Sequence, residues 1–185
     1  MKQIHPAYPI WEVEFDLPDV EWQQREGFHQ KGTVNLRYSL GAELNEKHKF
    51  LAAWKSQLFS KVLKYLKQDN LPVVVEKMWR EYLKSIYFPG GFEPYLELLV
   101  DKPGFQMDIH EDNRFIVGVL IMNLKDNPCG THFRDIDYIG PKEKGKGVFF
   151  LNHSNTAHGI EQPGPEDRYI GYQYITVEHI KDINN

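Results

Sequence analysis

A single cysteine, Cys129, among 185 residues excludes an intramolecular disulfide and any zinc cluster built on several thiolates. Long apolar runs are missing too: no stretch approaches the ~20 residues a membrane-spanning helix needs. The first ten residues carry Lys2, His5, Pro6 and Pro9 where a signal peptide would be apolar. These absences read as a soluble, cytoplasmic protein. An excess of charge of one sign is missing as well, with 22 Lys and Arg against 26 Asp and Glu. A formal net charge of -4 gives no whole-molecule attraction to phosphate backbones or anionic bilayers, so neither nucleic acid nor membrane is an expected partner.

The length suits one substantial core and is short for two, so residues 1–185 are expected to form a single domain. Hydrophobic residues at 41% and aromatics at 14% supply enough apolar surface for that core. No internal repeat or low-complexity tract interrupts it. Within the domain, residues 1–94 read as N-terminal strands and supporting helices, and residues 95–178 as a β-rich unit.

In the first part, Trp11, Val13 and Phe15 alternate with acidic residues, and Thr33, Asn35 and Arg37 alternate with Val34, Leu36 and Tyr38. Period-2 patterns of this kind mark half-buried strands. From about Glu43 the period changes: Phe50, Leu51, Trp54, Leu58, Val62, Tyr65 and Leu66 fall on one helical face, and Asn70 and Pro72 end it. A second helix is expected over 73–87, before Pro89-Gly90-Gly91. Lysines at 47, 49, 55, 61, 64 and 67 read as the solvated face of the first helix, with an acidic partner as the alternative. The aromatics Trp11, Trp22 and Phe28 read as core or interface packing rather than a cover for a pocket.

Beyond Tyr95, short apolar pieces at 96–100, 105–110, 115–124, 131–133, 147–151, 159–162 and 169–177 are separated by turn-forming Lys102-Pro103-Gly104, Asp126-Asn127-Pro128, Gly140-Pro141 and Pro163-Gly164-Pro165. Many short strands with frequent turns favour a sandwich or jelly roll over parallel βαβ units. The lysine-rich piece 141–147 lacks phosphate-loop spacing and precedes a strand, so it reads as a flexible hairpin.

Candidate chemistry sits in this second part. On an extended strand residues two apart share a face, so His110 and Asp112 can both turn inward while Glu111 turns away. With 8 histidines in the chain that spacing alone is weak evidence, and context decides it. His158 follows an apolar strand and is flanked by Ala157 and Gly159, which leave room for an ion; His153, its competitor, lies in a polar turn. Two imidazoles and one carboxylate can occupy one face of Fe(II), leaving positions for a chelating cosubstrate and O2. Arg168 opens the last long strand, where Arg168, Ile170, Tyr172, Tyr174 and Thr176 share a face, and a planar guanidinium there suits bidentate capture of a carboxylate. On a regular strand Gln106 and Asp108 would share the inward face of His110 as hydrogen-bonding candidates, with roles behind the ligands or in a turn as the equal alternative, and Arg114 could meet an anion or pair with an acid.

The run Phe105-Gln106-Met107-Asp108-Ile109-His110-Glu111-Asp112-Asn113, then Ile121-Met122-Asn123-Leu124, Gly130-Thr131-His132-Phe133 and Gly147-Val148-Phe149-Phe150-Leu151 through His158 to Arg168, resembles the core of the 2-oxoglutarate/Fe(II)-dependent dioxygenases, most of all their prolyl-4-hydroxylase-like branch. The likeness spans about 95–178, in the family's order. It implies a mainly β protein with an α layer: a double-stranded β-helix, or jelly roll, with N-terminal helices packed on the larger sheet. It also implies His110, Asp112 and His158 as iron ligands, Arg168 on the distal carboxylate of 2-oxoglutarate, and O2 as second cosubstrate. Many members place Ser or Thr two residues after the basic residue, whereas this chain has Ile170, so a second carboxylate anchor comes from elsewhere: Tyr172, Thr131 or another inward hydroxyl.

The expected activity is hydroxylation of a C–H bond in a protein side chain (prolyl by family), a free amino acid or another small molecule, with release of succinate and CO2. Two alternatives stand beside it. One is a cupin-like metal enzyme needing no 2-oxoglutarate, which Arg168 disfavours; the other is a noncatalytic jelly-roll binding module, for which a complete metal set would be unnecessary.

Overall fold

The computed structural model describes residues 1–17, 29–30, 36–39, 95–113 and 116–176. The two expected helices, and with them the α layer, lie outside these residues, as do Trp22, Phe28 and Arg114. Among the described residues the structure is β, with two short 3-10 turns.

Twelve strands follow in order: β1 (Lys2–Gln3), β2 (Ile10–Glu14), β3 (His29–Gln30), β4 (Arg37–Ser39), β5 (Tyr95–Asp101), β6 (Met107–His110), β7 (Ile116–Asn123), β8 (His132–Phe133), β9 (Tyr138–Ile139), β10 (Lys146–Leu151), β11 (His158–Ile160) and β12 (Arg168–Thr176). They build an eight-stranded sheet, β1-β2-β10-β7-β12-β5-β4-β3, and a four-stranded sheet, β6-β11-β8-β9. Every pairing is antiparallel. From β5 onward the chain passes back and forth between the two sheets, the winding of a jelly-roll-like sandwich. No helix among the described residues is long and apolar enough to cross a membrane.

Sequence explains which strands are central. β10 has β2 on one side and β7 on the other, and Gly147, Val148, Phe149, Phe150 and Leu151 are all buried. A strand covered on both faces needs a continuous apolar run rather than alternation, and 147–151 is such a run. On its inner face Val148 and Phe150 join Ile10, Leu99, Val119, Ile121, Ile170 and Phe133 of the small sheet in one core. The Phe133 ring meets Phe150 edge-on at 5.2 Å; burying two such side chains contributes roughly 2 kcal/mol each. On the outer face Trp11 packs against Phe149 and is fully buried, which is the core role expected of it.

Two sequence expectations are corrected. The alternation around residue 37 runs in the opposite phase: Leu36 is 40% exposed, with a φ of 62°, and Arg37 is the residue that turns inward. The apolar side chain is tolerated outside because Leu36 occupies the turn entering β4, where its carbonyl accepts from the Lys102 N–H. Nor is 141–147 a hairpin, because β9 belongs to the small sheet and β10 to the large one. This crossing is tied down by Asn127 N–H to the Lys142 carbonyl, Gly145 N–H to the Asn123 carbonyl, and Lys144 N–H to Asp126 Oδ1.

Candidate metal centre

His110 ends β6 and His158 opens β11, and the two residues are direct partners across that antiparallel pair. Their rings stand 4.7 Å apart. Asp112, two residues beyond His110, brings its Oδ2 to 3.8 Å from His158 Nε2. One ligand-type atom from each of the three residues lies within 4.8 Å of the others.

The outer bonds aim these atoms. His110 Nδ1 lies 2.9 Å from the Asp108 carbonyl and His158 Nδ1 lies 3.1 Å from the Thr156 carbonyl. A carbonyl can only accept, so each ring carries its proton on Nδ1 and presents the Nε2 lone pair to the site, as a histidine ligand must. Asp112 Oδ1 accepts from the Tyr172 hydroxyl at 3.2 Å. Asp112 Oδ2 is buried with no hydrogen-bond partner among the described residues. A buried carboxylate oxygen left this way is costly, and a cation between it and two imidazole nitrogens removes the cost. The donor set fits a divalent metal.

Charge states agree with that fit. Burial first, then the neighbouring His110, pushes His158 down to about 4, so its imidazole is neutral, the form that binds metal. Phe133 and Phe150 wall this ring at 5.7 and 4.5 Å. Burial also raises the Asp112 carboxyl above its usual range, against the opposing pull of His110 and the Tyr172 hydroxyl. Burial and the adjacent Asp112 hold the Tyr172 phenol protonated, so it serves as a donor.

A bulge sets the geometry. β11 and β6 pair at His158↔His110 and again at Ile160↔Met107, with one residue, Gly159, between the pairs on β11 and two, Asp108 and Ile109, on β6. The extra residue reverses the parity of β6, so Met107 lines the cavity while Gln106 and Asp108 are exposed. The expectation that Gln106 and Asp108 point inward is therefore corrected. Gly159 lies opposite the bulge, where a Cβ would come 2.5 Å from the Met107 carbonyl oxygen and 2.9 Å from that of Asp108; only glycine allows so close an approach. His153, the rival ligand, is a cap: its Nδ1 accepts from the Asn155 N–H, and Thr156 Oγ1 accepts from its backbone N–H.

The triad lines a cavity of about 280 Å³ between the sheets, together with Arg168, Ile170, Tyr172 and Tyr174 of β12, the inward face read from the sequence. Arg168 is buried. Its Nη1 donates to Asp101 Oδ2 at 2.9 Å and its Nη2 to Thr131 Oγ1 at 3.1 Å, while Nε is buried without a partner among the described residues. Tyr172 and Thr131, the two candidates for a second carboxylate anchor, thus place their hydroxyls on Asp112 and on Arg168.

Three site residues escaped the sequence reading. Arg37 and Asp101 form a bidentate pair, Nε to Oδ1 at 2.6 Å and Nη2 to Oδ2 at 2.9 Å. Arg37 sits in the polar phase of a period-2 stretch, which reads as solvent-facing, and Asp101 precedes a turn, where an acid is unremarked. Asn152 reaches back to the ligand loop, its Nδ2 donating to the carbonyls of Asp112, Asn113 and Ile116 at 3.2, 3.1 and 3.0 Å. Its only signal in the sequence is an amide directly after a buried strand.

No family profile and no curated protein matches this chain. Among solved structures it is similar to a viral collagen prolyl hydroxylase from Paramecium Bursaria Chlorella virus-1 in complex with 2OG, at 19% identity over 56% of this chain and 70% of that one, with a TM-score of 0.42. A truncated form of the viral enzyme aligns at 17% identity over 83% and 98% of the two chains, with a TM-score of 0.40. A 2OG-Fe(II) oxygenase family protein from Caulobacter crescentus aligns at 16% identity over 90% of this chain and 56% of its own length, with a TM-score of 0.47. Among the solved structures this chain is similar to are thus a collagen prolyl hydroxylase and a 2OG-Fe(II) oxygenase family protein.

Proposed function

We propose that this protein is a 2-oxoglutarate- and Fe(II)-dependent oxygenase that hydroxylates a C–H bond, with the side chain of a peptide, prolyl first, as the leading substrate class and free amino acids or other small molecules behind it. The observation that carries the reading is the convergence of His110, Asp112 and His158 in one cavity with the buried guanidinium of Arg168. Iron held there with 2-oxoglutarate would supply the oxidation: the substrate C–H, O2 and 2-oxoglutarate would give the hydroxylated substrate, succinate and CO2.

The protein's own part is binding, orientation and exclusion of water. His110 and His158 offer Nε2 with Nδ1 fixed on carbonyls. Asp112 offers Oδ2, with Oδ1 held by Tyr172. Arg168 supplies the cation for a distal carboxylate, its Nε, without a partner among the described residues, being a donor ready for one. Tyr172 and Arg168 stand four residues apart on β12, roughly 13 Å of strand rise, so ligands and guanidinium reach the cavity from separate rungs. Leu99, Ile121 and Ile170, which also line the cavity, are apolar.

Anaerobic addition of Fe(II) and 2-oxoglutarate is expected to produce a weak charge-transfer band in the visible, lost in His110→Ala and weakened in Arg168→Ala. Folded protein that binds iron but never shows the band excludes the cosubstrate. Succinate release screened over proline-containing peptides and amino acids then identifies the substrate class.

A further inference from the structure

Arg37, Asp101 and Arg168 lie in one row across three neighbouring strands: Arg37 is the register partner of Asp101 on β4–β5, and Arg168 is its partner on β12–β5. The central carboxylate takes Nε and Nη2 of Arg37 and Nη1 of Arg168, at 2.6 to 2.9 Å. Both arginines line the cavity. The Arg37 guanidinium also lies over the Phe105 ring at 4.4 Å, which fixes its plane.

Charge counting then separates two pictures. Arg168 with Asp101 alone sums to zero, so an entering carboxylate would meet a cation already neutralised and an acid that repels it. With Arg37 the row is cation–anion–cation, a net single positive charge with almost no water to screen it, since the Arg37, Asp101 and Arg168 side chains are 11, 2 and 3% exposed. Glu97, the other acid of β5 lining the cavity, is four residues from Asp101, roughly 13 Å along the strand. It does not cancel the row at close range.

We propose that Arg37 is a specificity-determining residue for the diacid: it makes the guanidinium end of the cavity net positive, and so lets Arg168 accept a distal carboxylate although Asp101 already holds it. The proposal rests on the oxygenase reading above. It predicts selectivity between acids that share one chelating head, favouring 2-oxoglutarate over 2-oxopentanoate, which ends in a methyl group.

The test is anaerobic titration of the Fe(II)-loaded full chain with each acid, following the charge-transfer band and, separately, heat of binding, in wild type, Arg37→Gln and Arg37→Lys. Arg37→Gln is expected to weaken 2-oxoglutarate by about tenfold or more, the scale of one charge-assisted contact, and to leave 2-oxopentanoate and iron affinity within about twofold. Arg37→Lys is expected to keep the preference within about threefold. Equal weakening of both acids in Arg37→Gln, or a preference lost in Arg37→Lys as fully as in Arg37→Gln, overturns the proposal and leaves a strand-bridging role; should Arg37→Gln not fold, Arg37→Lys decides. If wild type shows no 2-oxoglutarate band, the oxygenase reading falls and this inference with it. A normal wild-type band with a preference indifferent to residue 37 sinks the inference alone.

Discussion

At the scale of single residues, the candidate ligand side chains are held in place by neighbours that are not themselves ligand candidates. Asn152 is the clearest: its amide grips the backbone of Asp112 and the turn behind it. Asn152→Ala is expected to lower metal affinity about 10- to 100-fold, the usual effect of losing an outer partner of a ligand. Thermal stability should fall by only a few degrees, with metal titration and melting measured on the same preparation. His110, Asp112, His158 and Arg168, which converge on one cavity, were singled out from the order of the motifs that resemble the 2-oxoglutarate/Fe(II)-dependent dioxygenases. Arg37, Asp101 and Asn152 were not, because their partners are 64 or 67 residues away, or 36 to 40. Pairings that distant leave no local spacing to read.

At the scale of elements, the bulge between β6 and β11 decides which side chains face the cavity. Strict alternation puts Gln106 and Asp108 inward; the inserted residue puts Met107 there. A bulge is a relation between two strands, so the β6 sequence alone could not reveal it, whereas the glycine that permits it stands in β11 as Gly159. Gly159→Ala is expected to cost about 2–4 kcal/mol, since its methyl would sit against two carbonyl oxygens of β6 and the strands must separate to admit it. Chemical denaturation reads that loss, and metal binding should fall with it because His110 and His158 are partners on the same two strands. Strand positions were otherwise well marked: the expected 147–151 and 169–177 are β10 and β12 to within a residue. The short β9 was missed, as two residues carry no periodicity.

For the molecule as a whole, the two facing sheets of the described residues share a core and the site cavity, and the N-terminal β2 and β4 are strands of the same large sheet as the site-bearing β12. The mainly β character and the jelly-roll-like winding were readable from strand count and turn spacing. The helical layer expected from the sequence falls on residues outside those described. Because the ligand atoms converge only in the folded state, an added divalent metal should raise the midpoint of thermal unfolding in proportion to the logarithm of its concentration, by about 2.7 kcal/mol of stability at a hundred times the dissociation constant. Differential scanning with Mn(II) or Zn(II) measures this, and the shift should vanish in His110→Ala. An equal shift in that variant would mean the ion binds elsewhere.

The back-and-forth passage between sheets has a temporal side. His110 and Asp112 belong to an early crossing, while His158 and Arg168 come from the last two strands, β11 and β12. Pairing across such separations is slow relative to local structure. On the oxygenase reading proposed above, tight capture of iron would be a late event, available only once the closing strands have docked, and the newly formed chain would be spared a redox-active metal until there is a walled chamber to contain its chemistry.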